Sequence, residues 1–173
     1  MMFRVLLSLS FTFLLAAFAE AKPVWITQDF QAGKCVELAS GDVDKGEDYI
    51  KRKCLSFPAA STWIEFHEGV RVSVGFGRLP HLALSNMDAA RGNWPIVWGG
   101  EKNKGKFVPK VVIARFAYQT EPPIVGRLFI FRLLDSGLSC IVGEVSSNEK
   151  ARRIATAAMA KWTCQSEAQV LKY

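Results

Sequence analysis

Cys35, Cys54, Cys140 and Cys164 are the four cysteines of this chain, and all of them follow a segment that reads as an export leader. An even number of thiols in an exported chain predicts disulfides, and four cysteines permit three pairings. Geometry selects one. A strand from Cys140 to Val145 covers about 17 Å at ~3.3 Å per residue. A helix from Ser147 to Trp162 then returns about 24 Å at ~1.5 Å per residue. If that helix packs antiparallel on its own strand, Cys164 comes back beside Cys140. The stretches "KCVELAS" and "DYIKRKC", joined by "GDVDKGE", repeat the logic and set Cys35 opposite Cys54. Two local bridges are expected, each stabilising by roughly 3 kcal/mol on the chain-entropy model. No Cys-x-x-Cys occurs and no thiol is left over, so a redox or nucleophilic cysteine is disfavoured.

The leader has the three parts of a secretory signal. Arg4 supplies the charged start, Val5 to Phe18 form an apolar run, and Ala17, Ala19 and Ala21 are the small residues before cleavage. Cleavage is expected after Ala21, with Ala19 as the alternative. The run is shorter than the roughly 20 apolar residues of a membrane-spanning helix, which disfavours a retained anchor. No cysteine follows the cleavage position, so a lipid anchor is not expected. Residues 1–21 are thus read as a signal peptide and 22–173 as one disulfide-stapled domain, periplasmic or secreted. About 150 residues suffice for one substantial core.

Strand signals fill the middle of the chain. In "VRVSVGF", Val70, Val72, Val74 and Phe76 alternate with Arg71, Ser73 and Gly75, the period of a strand with one buried face. "TWIEF" precedes it across "HEG". "WPIVWGG" and "KFVPKVVIARFAY" flank "EKNKG", and "GRLFIFRLL" and "LSCIVGEV" flank "DSG", each a hairpin signal. Pro95 and Pro109 belong at strand starts or edges, because each lacks a ladder donor. "HLALSNMDAARGN" has no clean period and reads as a short helix or an irregular link. Near the end, Ser146 and Glu149 form a capping-box pattern. Ala151, Ile154, Ala155, Ala158, Met159 and Trp162 then recur at helical spacing. Hairpins followed by one helix predict an α+β fold: a twisted antiparallel sheet covered by the C-terminal helix. A small, partly closed β-barrel plus helix is the alternative.

Enzyme signatures are sparse. The two histidines are His67, in a hairpin turn beside Glu68, and His81, in a connection. No Gly-x-Ser-x-Gly occurs, and no metal-ligand spacing involves either histidine. A hydrolase with an unrecognised site would draw on His67, Glu65 and Glu68. "DVDKGED" gathers Asp42, Asp44, Glu47 and Asp48, but its glycine comes one position early for an EF-hand and Lys45 intrudes. "GFGR" lacks the further glycine and lysine of a phosphate loop. No cofactor or metal is expected.

Two features suit binding. Trp94 and Trp98 share one side of an extended "NWPIVW"; exposed they form an aromatic platform, and inward they are core, the favoured reading. The second feature is charge. The formal net charge is +6, and the leader adds nothing to it because Arg4 and Glu20 cancel. Lys102, Lys104, Lys106 and Lys110 gather around the "EKNKGK" turn, Lys51, Arg52 and Lys53 precede the second cysteine, and Lys150 and Arg153 fall on the helix's outer face. Basic loops outside the cytoplasm meet anionic polymers, lipid phosphates or acidic proteins rather than nucleic acid. Solvated lysine loops are nevertheless the ordinary case, so the charges carry function only if the fold gathers them. The expected role is a non-catalytic binding or inhibitor module of the bacterial envelope, engaging an anionic polymer or an acidic protein.

Overall fold

The computed structural model describes residues 22–30, 35–45, 48–57, 60–67, 71–79, 84–88, 94–118, 125–161 and 164. Within them the hairpin signals become antiparallel strands that divide between two sheets. The first holds β1 (Val24–Phe30), β7 (Trp94–Asn103), β8 (Lys106–Tyr118), β9 (Val125–Leu133) and β10 (Ser139–Val145), in that spatial order. The second holds β2 (Val36–Ser40), β3 (Tyr49–Phe57), β4 (Ala60–His67), β5 (Arg71–Gly77) and β6 (Leu84–Asp88), also in that order. The helix α1 spans Asn148–Lys161.

Burial explains why one sheet does not suffice. Val111, Val112, Ile113 and Ala114 in β8, and Leu128 to Phe131 in β9, are buried without alternation. Such runs require cover on both faces. Val112, Ala114, Phe129 and Phe131 meet Ile64, Val72, Val74 and Phe76 of the second sheet. On the opposite face Val111, Ile113, Leu128 and Ile130 meet Ala151, Ala155 and Ala158 of α1. The layers are therefore sheet, sheet, helix. The α+β class with a C-terminal helix on an antiparallel sheet is as expected; neither sheet closes into a barrel, and the strands fill two sheets where one was expected.

Local chemistry sets the details. Asn103 pairs with Lys106, leaving Lys104 and Gly105 as a two-residue turn with φ of 49° and 79°, the paired positive values of a type I′ hairpin. Pro95 takes the second position of β7. Pro109 lies inside β8 at a register shift opposite Gly99 and Gly100, where a bulge excuses its missing donor. Leu84–Asp88 is a strand rather than a short helix, pairing with β5. The helix cap is one residue later than the pattern implied: Ser147 Oγ accepts from the Lys150 amide at 3.4 Å, and Ser147 O from the Ala151 amide at 3.0 Å. β10 runs on through Val145, which leaves Ser146 in the bend. Trp162 lies outside the described residues.

The disulfides are Cys35–Cys54, with Cα atoms 4.2 Å apart, and Cys140–Cys164, with Cα atoms 6.0 Å apart. This is the local pairing expected. The first ties edge strand β2 to β3, and the second ties the far end of α1 to the start of β10.

Candidate anion-binding surface

The β7–β8 hairpin carries the lysines, and the pleat fans them out. Lys102 pairs with Phe107, and Phe107 packs on the inter-sheet core, 5.1 Å from Phe57 between ring centroids. Cross-strand partners share a face, so Lys102 leaves on the second sheet's side. Lys106 precedes Phe107 and therefore leaves on the other. Lys104 occupies the apex. All three are exposed, and none has an ion pair among the described residues. Lys110 differs. Its side chain is 24% exposed and lies 3.5 Å from Asp135 and 3.8 Å from Glu101.

The topology brings further cations to this end. Lys22 leads into β1, whose Val24 pairs with Gly100 at the hairpin base. Arg78 follows β5; its amide donates to Gly137 O at 2.8 Å, and its guanidinium donates to Asp135 O. Arg132 pairs with Val111 and Cys140, and its Nη1 donates to Lys110 O at 2.7 Å and Leu133 O at 2.6 Å. Burial lowers the Arg132 pKa, while Asp135 and Glu101 pull it the other way. Lys161 lies three residues before Cys164, which the bridge holds beside Cys140. In these segments Lys22, Arg78, Lys102, Lys104, Lys106, Lys110, Arg132 and Lys161 face two carboxylates, Glu101 and Asp135. This end is a basic pole.

Several cations on the second sheet are matched instead. Lys51 lies 3.0 Å from Glu65, Arg52 3.6 Å from Glu37, and Lys45 3.0 Å from Asp42. Lys53 sits 4.9 Å from the Trp63 ring centroid. The three basic residues before Cys54 thus each have a partner. Lys150 and Arg153 are exposed on the outer side of α1.

Trp98 does not belong to a surface platform. It is 0% exposed, between Phe57 at 5.2 Å and Phe76 at 5.8 Å, because β7 is an inner strand whose face meets the second sheet. The side chain of Trp94 lies outside the described residues.

His67 lies beside Glu65, the carboxylate grouped with it in the sequence, and beside Ser73, which the sequence does not mark. Lys51, Glu65 and Ser73 form one cross-strand row. His67 Nε2 lies 3.4 Å from both Glu65 Oε1 and Ser73 Oγ. A nucleophilic relay needs the carboxylate on Nδ1 and the hydroxyl on Nε2; here both share one nitrogen. Glu68 and His81 lie outside the described residues. In the acidic turn the Asp44 amide donates to Asp42 Oδ1 at 3.1 Å, so Asp42 acts as a turn former. Glu47 lies outside the described residues. Among the described residues no group of three His, Cys, Asp or Glu is placed to hold a metal ion.

Arg78, Arg132, Lys22 and Lys161 are members of the pole that the sequence does not flag. They are scattered along the chain, and only strand register and a disulfide bring them together. No protein family, no curated protein and no solved structure matches this chain.

Proposed function

We propose that this protein is a non-catalytic binding module that engages a polyanion, an anionic envelope polymer or an acidic protein surface, through its basic pole. The observation that carries the reading is the gathering of eight named cations against two carboxylates at one end, with three hairpin lysines free of ion pairs among the described residues. A surface of one sign raises the local concentration of an oppositely charged partner and steers its approach. Two disulfides fit a protein that matures outside the cytoplasm, where such polymers occur. No described helix is long and apolar enough to cross a membrane. Export by cleavage after Ala21 and residence in the periplasm or outside the cell belong to the same proposal; residues 1–21 lie outside the described residues.

The test is retention on a polyphosphate resin under a salt gradient. Reversing Lys102, Lys104 and Lys106 to Glu is expected to lower the eluting salt and to flatten the slope of log K against log salt by roughly two to three. Unchanged elution removes the hairpin from the binding surface.

A further inference from the structure

We infer that the basic pole seats end-on on an anionic lipid bilayer, with Leu79 entering the headgroup region; this rests on the pole being an anion-binding surface. The lysine geometry is the first support. Lys102, Lys106 and Lys104 leave the hairpin on one face, on the other face and at the apex. A single polymer strand along one face meets only part of this set. A layer of anionic groups met tip-first meets all of it.

Leu79 is the second support. It is 47% exposed and follows Arg78 at the same pole, whereas the other exposed large hydrophobics among the described residues, Val36 and Leu38, lie on edge strand β2. The Leu79 amide donates to Gly137 O at 3.1 Å, and its side chain lies beside Gly137 with nearly half of its surface left open at the pole. Cations for lipid phosphates beside an apolar group for the acyl boundary are the two components of an interfacial site. A soluble polyanion matches the charge and offers no apolar layer to the leucine, whereas a bilayer offers both over a surface wide enough to meet the whole pole.

The test is co-sedimentation of the mature chain, residues 22–173, with vesicles of phosphatidylcholine alone, or of phosphatidylcholine and phosphatidylglycerol in equal parts. The phosphatidylcholine background is subtracted, and retention on polyphosphate and polyglutamate resins is measured in parallel. Lys102→Gln, Lys104→Gln and Lys106→Gln are each expected to weaken binding to the anionic vesicles roughly fivefold. Leu79→Ser is expected to weaken it too, while leaving elution from polyphosphate unchanged. The three lysines are exposed and Leu79 is 47% exposed, and unchanged circular dichroism and urea midpoints are required of each variant before its binding is compared. Lysine-dependent polyphosphate retention without binding specific to phosphatidylglycerol overturns the bilayer seat and leaves the anion-binding reading standing. Loss of both overturns both. Stronger retention on polyglutamate than on anionic vesicles replaces the bilayer with an acidic protein, and vesicle binding indifferent to Leu79→Ser also overturns the seat as described.

Discussion

Lys104 has a positive φ, 49°, and is followed by Gly105 at 79°. A side chain other than Gly, Asn or Asp in that region costs about 1 kcal/mol or more, so the hairpin presents its apex charge against a local backbone preference. Lys104→Asn should stabilise the protein by about 0.5–1 kcal/mol in urea unfolding while weakening polyphosphate retention. Gly105→Ala should destabilise it by about 1 kcal/mol. A gain in both stability and retention for Lys104→Asn would contradict this account. The lysine cluster is legible in the sequence because "EKNKG" is a turn signal with its charges attached. Arg132 is not, since nothing in "GRLFIFRLL" marks one arginine as the donor to Lys110 O and Leu133 O.

At the level of elements, α1 depends on its small side chains and its far-end bridge. Ala151, Ala155 and Ala158 are the helix residues buried on the sheet, and alanine contributes little apolar area per residue. The Cys140–Cys164 link should therefore carry much of the helix's attachment. Replacing both cysteines by serine is expected to cost about 3 kcal/mol and to speed amide exchange in the last turns of α1 more than in the first. Uniform exchange along the helix would show that side-chain packing alone holds it. The helix and both bridges are legible from cap residues, periodicity and loop length. β6 is not, because "LSNMD" lacks alternation; it is a strand through its pairing with β5. The second sheet is visible only indirectly, in apolar runs too continuous for a half-exposed strand.

At the level of the whole molecule, the two sheets are joined at the pole by backbone. Gly137 O accepts from the amides of Arg78 and Leu79, linking the end of β5 to the β9–β10 turn. Gly77 has φ of 123°, and a Cβ there would collide with that same carbonyl. Gly77→Ala should therefore cost roughly 2–3 kcal/mol in chemical unfolding. It should also impair anion retention, because it disturbs the seat of Arg78. A neutral effect on stability would mean that the sheets meet there only through side chains. The expected charge clustering depends on this level, since linear spacing does not reveal which loops share an end.

The strands β8 and β9 stand between two cores, one aromatic-rich and one alanine-lined. Consecutive residues there, such as Val111 and Val112, answer to different neighbours through one backbone. A shift that relieves crowding beneath the helix is transmitted to the rings on the reverse side. Substitution in these two segments is thus constrained twice over, whereas the exposed side chains of Lys102, Lys104 and Lys106 can be exchanged to retune a target without disturbing either core.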